Sequence, residues 1–101
     1  MEFINDKDGN IFELRDSTIN HIRDGHRIAN PVEFVKEVLA SLDAIIESNW
    51  EEGTILYYKK RRRSSYKLVV VNMPQNLIKT AYLERRMKEG KIIWLNPKMV
   101  R

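Results

Sequence analysis

Two histidines five residues apart, His21 and His26, and a hydroxyl pair two residues apart, Thr80 and Tyr82, are the side chains here best suited to moving protons and gripping a phosphate. Between the pairs in sequence lies Lys59-Lys60-Arg61-Arg62-Arg63, five consecutive cations. Cleaving RNA without a metal requires proton transfer at the 2′-hydroxyl and at the leaving 5′-oxygen. It also requires cationic or hydrogen-bonding groups around the phosphorane. Imidazole suits the first task because its pKa lies near neutrality. Arg and Lys suit the second, and Thr or Tyr hydroxyls can hold a phosphate oxygen or donate a proton. Each residue also has a plain structural reading: a helix-end histidine, a half-buried strand tyrosine, a solvated basic loop.

Other chemistries find less support. His21 and His26 with Asp24 between them do not form an HExxH arrangement, and no carboxylate cluster accompanies them. There is no cysteine, so neither a disulfide frame nor a thiolate metal site is expected. Asp6, Asp8 and Asn10 match a calcium loop only in part: the glycine falls too early and the twelfth position from Asp6 is Ser17. GxSxG, a glycine-rich phosphate loop and paired catalytic carboxylates are all missing from the sequence. The sequence therefore predicts no cofactor and no metal.

The 18 basic and 14 acidic residues give a net charge of +4. Without the five-cation run the count is 13 against 14, so the basicity is a local patch of the kind that concentrates polyanions. The N-terminus has no basic segment followed by an apolar run, and no stretch approaches the roughly 18 apolar residues of a membrane span. A soluble, cytoplasmic protein without a membrane partner is expected.

The elements that must position these residues follow from periodicity. With 101 residues the chain reads as one domain, residues 1–101. Phe3-Ile4 and Ile11 to Leu14 predict a hairpin around Gly9. Ser17 or Thr18 caps a short helix that stops at Gly25 and carries His21. Asn30-Pro31-Val32-Glu33 starts a second helix, Pro31 to Leu42, whose apolar stripe is Phe34, Val35, Val38, Leu39 and Leu42. Ala44 to Ile46 is a brief strand, and Thr54 to Lys60 a longer one turning through Arg61 to Ser65 into Tyr66 to Val71. Leu77 to Leu83 alternates, with Leu77, Lys79, Ala81 and Leu83 on one side and Ile78, Thr80 and Tyr82 on the other. Lys91 to Leu95 is a last strand or covering segment. The predicted fold is α+β: N-terminal helices on one face of a roughly four-stranded antiparallel sheet.

The order of these features, His21-Ile22 and His26, an amphipathic helix, a Tyr-Tyr-Lys strand, a Leu-Val-Val-Val strand, Thr80-Ala81-Tyr82, then Gly90 before Ile93-Trp94, resembles a known superfamily. It is the group of phage- and plasmid-associated nuclease-like domains that includes barnase, EndoU, colicin-type tRNases and RelE. The resemblance covers about Ser17 to Trp94. It implies metal-independent RNA cleavage leaving a 2′,3′-cyclic phosphate, a toxin or phage-effector role, and tRNA or mRNA together with an antitoxin or immunity protein as partners. The family pattern falls on His21, His26, Thr80, Tyr82 and Lys59. Two positions depart from it: Gly25 stands where a basic residue often precedes the second histidine, and Arg27 where a proline often follows.

On this reading His26 is the general base or acid and His21 its partner or orienter. Thr80 and Tyr82 contact the scissile phosphate, and Lys59 stabilises its charge. Lys60, Arg61, Arg62, Arg63 and Lys67 hold the RNA backbone. Two other readings remain open: a catalytically inactive RNA-binding module of the same fold, and a phage structural or interaction protein docking through Ile92 to Leu95.

Overall fold

Apolar residues recur at two periods along the chain, and each period becomes one kind of element. In the computed structural model, which describes residues 1–99, a hairpin comes first: β1 (Glu2–Asn5) and β2 (Ile11–Leu14). Helices α1 (Asp16–Gly25) and α2 (Pro31–Ala40) follow. Five strands then run in sequence: β3 (Ala44–Ser48), β4 (Thr54–Arg62), β5 (Ser65–Asn72), β6 (Leu77–Glu84) and β7 (Gly90–Leu95).

All seven strands share one sheet, in the order β1-β2-β6-β5-β4-β3-β7. This corrects the expectation of helices on a four-stranded antiparallel sheet. The α+β class holds, but the sheet is larger and mixed. The β1–β2 hairpin joins through a parallel bridge, Glu13 opposite Leu77, and the Glu13 N–H donates to the Asn76 carbonyl at 2.9 Å. At the other end β7 pairs with β3 and not with its sequence neighbour β6. The short segment between β6 and β7 therefore passes over one face of the sheet.

The two faces bury different sets. Phe34, Val35, Val38 and Leu39 recur at helical spacing on α2 and pack with Ile45, Ile55, Tyr57, Val69, Val71, Ile78 and Ala81. Ile22 of α1 and the inward residues of the hairpin, Ile4, Phe12 and Leu14, complete that core. On the opposite face Ala44, Ile46, Leu56, Tyr58, Leu68 and Val70 are covered by Tyr66, Tyr82, Met87 and Leu95.

The hairpin tip is tied to the first core through one carboxylate. Asp6 is 8% exposed and accepts from the Asp8 and Asn10 backbone N–H groups, from the Asn10 side chain and from the Tyr57 hydroxyl. The Asp-Gly turn is thus a buried anchor, and φ at Gly9 is +85°, a conformation suited to glycine.

Three local expectations change. α1 begins at Asp16 after Arg15 and uses no side-chain cap, and Asn30 likewise makes no capping bond. Gly25 belongs to the helix; the left-handed residue after it is Arg27, with φ 57°. Arg61 and Arg62 extend β4, because Arg62 pairs with Ser65 past an irregularity in register, leaving Arg63 and Ser64 as the turn.

Candidate functional site

The site is built on a one-residue irregularity in β6. Val70 lies opposite Thr80 but Val71 lies opposite Ile78, so Lys79 is an extra residue, a β-bulge. The bulge turns Ile78 to the same core as Ala81, while Thr80 and Tyr82 face the other way, beside Val70 and Leu68. The sequence expectation put Ile78 with Thr80 and Tyr82, and Lys79 with Ala81. Strict alternation holds only on one side of the bulge.

Beyond Leu77, β6 has no neighbouring strand on its outer side among the described residues, and α1 packs against it there. The helix ends with the His26 N–H bonded to the Ile22 carbonyl at 3.2 Å. His26 sits at φ −109° and ψ 2°, in the bridge region where turn and active-site residues are often found. Its ring stacks on Tyr82, with centroids 4.9 Å apart and planes inclined by 25°. His21, one helical turn earlier, meets His26 edge-on at 4.9 Å. Gly25 lies against His21, whose Nδ1 would be 3.4 Å from a Cβ at position 25, so even a small side chain there would touch the imidazole.

Lys88 also lies beside the Tyr82 ring. Its Nζ lies 5.6 Å from the Tyr82 ring centroid and 3.4 Å from Glu84 Oε2, and its backbone N–H donates to the Tyr58 hydroxyl at 2.9 Å. The Tyr82 hydroxyl, followed by Glu84, holds the Lys88 ammonium above the ordinary lysine value, so it is fully charged at neutral pH. Partial desolvation of an otherwise exposed ring, then the charge of His21, lowers His26 below the ordinary histidine value of 6.5. A neutral imidazole, a phenol and a fixed ammonium thus stand together.

Of the predicted catalytic residues, His21, His26 and Tyr82 converge. Thr80 faces the same side of β6 as Tyr82, with its hydroxyl oxygen buried and without a hydrogen-bond partner among the described residues. Lys59 does not join. It pairs in register with Lys67, on the face opposite Tyr82, and both lysines approach Glu37 of α2, at 4.0 Å and 2.7 Å respectively. Lys67 also lies 5.6 Å from the Phe34 ring centroid. Its hydrogen bond, then its charge and that of Lys59, hold Glu37 below the ordinary glutamate range.

The basic run divides as well. Lys60 gives its backbone N–H to Asp43 Oδ2. Arg61 and Arg62 line an open cleft of about 630 Å³ with Ser64, Ser65, Leu83, Glu84, Arg85 and Arg86. Arg63 is exposed at the hairpin turn. Glu84 is shared: it borders the cleft and bonds Lys88, and it follows Tyr82 by two residues, about 7 Å along the strand. The cleft and the imidazole cluster are therefore adjacent.

Sequence reasoning missed Arg85, Arg86 and Lys88. Their signal was present as a basic segment, Arg85-Arg86-Met87-Lys88, directly after the tyrosine strand. Among the described residues no three His, Asp or Glu side chains gather into a group that could hold a metal ion, and no helix is long and apolar enough to cross a membrane. Compared with protein-family models, with curated proteins and with solved structures, the chain matches none.

Proposed function

We propose that this protein is a metal-independent endoribonuclease that cuts RNA through attack of the 2′-hydroxyl, leaving a 2′,3′-cyclic phosphate. The observation that carries this reading is the stack of His26 on Tyr82, with Lys88 beside the same ring and a cationic cleft next to it. Neutral at pH 7, His26 takes the 2′-hydroxyl proton as the 2′-oxygen bonds to phosphorus. Lys88 stabilises the charge of the phosphorane. As the bond from phosphorus to the 5′-oxygen breaks, that oxygen takes the Tyr82 phenolic proton, and Lys88 compensates the phenolate until a proton returns from His26 through solvent. His21 is a positioning residue: its ring contacts His26, which leaves no room for a phosphate between them.

The order of motifs that resembles the nuclease-like superfamily supports the same chemistry. It also supports a toxin or phage-effector role in the cytoplasm, with tRNA or mRNA as target and an antitoxin or immunity protein as partner. Incubation of the protein with total tRNA and with mRNA in EDTA tests the proposal. Cleavage with cyclic-phosphate ends is expected from the wild type and not from His26→Ala; no cleavage, or equal cleavage by both, rejects it.

A second reading, an RNA-binding module without turnover, is favoured by one observation: Lys59 lies on the opposite face of the sheet from the imidazoles, beside Glu37. On that reading His26→Ala leaves RNA intact and binding little changed.

A further inference from the structure

We infer that the cleft between the β4–β5 hairpin and the β6–β7 crossover is a clamp for the phosphodiester backbone of single-stranded RNA, gripping nucleotides beyond the cut site. The inference rests on the RNA reading above but not on catalysis. Two distant stretches supply its cations: Arg61 and Arg62 from one wall, Arg85 and Arg86 from the other. None of the four takes part in an ion pair among the described residues, whereas Lys59 and Lys67 share Glu37 and Lys79 meets Glu51. The one acid on the lining, Glu84, is bonded to Lys88. Four unpaired guanidinium groups around one hollow repel each other, and a polyanion relieves that repulsion. Guanidinium is also the cation whose flat fork matches phosphate oxygens.

The rest of the lining fits a single strand. Ser64 and Ser65 offer hydroxyl donors, and Leu83, 47% exposed, adds an apolar contact at the rim for a ribose or base. The cleft begins about 7 Å along β6 from Tyr82, so a strand seated on His26 and Tyr82 reaches it within one or two nucleotides. The crossover is tied to the sheet close by, where the Lys88 N–H is bonded to the Tyr58 hydroxyl.

The test is salt-dependent binding of fluorescent 2′-O-methyl RNA, which lacks the attacking hydroxyl and cannot be cut. An eight-nucleotide strand is compared with a dinucleotide and with a duplex of the same sequence. For single strands each phosphate contact contributes about 0.7 to the slope of log K against log salt, so the R85A/R86A variant is expected to lose roughly 1.4 from that slope. R61A/R62A is expected to lose a similar amount, and neither variant should change binding of the dinucleotide. A K36A/K98A variant, with the same change in net charge elsewhere, is expected to keep the wild-type slope. An unchanged slope in R85A/R86A, an equal loss in K36A/K98A, or duplex binding as tight as the single strand with the same loss would each overturn the clamp. Intact length-dependent binding by a protein that cleaves nothing would overturn only the nuclease proposal. Cleavage without length-dependent binding would overturn only the clamp.

Discussion

Replacing Tyr57 by Phe removes one oxygen from the core and tests how the hairpin is anchored. The Tyr57 hydroxyl donates to Asp6 Oδ2 at 2.7 Å, with Tyr57 1% exposed and Asp6 8% exposed. No methylene is lost, so the cavity contribution is small and the effect is that of a buried bond to a charged acceptor, about 1.5–3 kcal/mol. For a chain of this size about 2 kcal/mol corresponds to a fall in Tm of roughly 8–16 °C. Burial alone pushes Asp6 upward, but hydrogen bonds from Asn10, Tyr57 and Asp8 outweigh it and hold the carboxyl below the ordinary aspartate value. Its contribution is therefore complete above the unfolded value, about 3.9, and is lost as pH falls through the lower folded one. Urea unfolding of wild type and Y57F at pH 7 and at pH 3 is the assay. The stability gap should be large at pH 7 and narrower at pH 3, which lies below the unfolded carboxyl value of about 3.9. A gap under about 0.5 kcal/mol at pH 7, or one that widens with acid, would refute the anchoring role of Asp6.

Other consequences are equally direct. Because desolvation, and then His21, depresses the His26 imidazole, its NMR titration should fall below 6.5, and the base-side limb of RNA cleavage should have its midpoint below 6.5 as well; a His26 midpoint at or above 6.5 contradicts this. H21Q should raise that midpoint only in part, since burial is the larger cause. Glu37→Gln frees Lys67 and Lys59 beside the Leu83 edge of the cleft, so polyanion binding at low salt should tighten, while stability changes by less than about 1 kcal/mol because Glu37 is exposed and its loss leaves no buried charge unpaired in an apolar site. Weaker binding would show that Glu37 orients these lysines and does not merely neutralise them. Gly90→Ala would put a Cβ 2.2 Å from the Glu47 carbonyl oxygen and 2.6 Å from Ile46 Cγ2. It should cost about 1–3 kcal/mol by forcing β7 away from β3, and an unchanged melting temperature would contradict the close pairing of these strands.

Elements with strong local signals were readable from the sequence. The stripe Phe34, Val35, Val38, Leu39 marked α2 and its buried face, and the β-branched run Val69 to Val71 marked a central strand. What remained hidden depends on pairing between distant segments. Parity within β4 puts Lys59 on the side of Tyr57, but only the register of Tyr58 with Leu68, and of Leu68 with Tyr82, reveals that this is the side away from the imidazoles. The bulge at Lys79 breaks an alternation that the residues themselves suggest, since lysine and isoleucine carry no mark of an inserted position. Likewise β7 meets β3 because that edge is open, which is a property of the assembled sheet. His21, His26 and Tyr82 were identifiable by chemical type, whereas Lys88, Arg85 and Arg86 owe their roles to where the crossover runs.

The shift of register between β3 and β7 leaves Ile93 as an extra residue on the edge of the sheet. Ile45 pairs with Trp94 but Ile46 with Ile92, so β7, an outermost strand, carries one more residue than its partner. Trp94 packs on one core and Leu95 on the other, while Ile92 and Ile93 remain more than half exposed. An extra residue of this kind, with Lys91 next to it, makes the edge a poorer template for continuous pairing with a second chain. The exposed isoleucines can therefore remain on the surface without seeding fibres, and straightening the strand by deleting Ile93 would remove that safeguard.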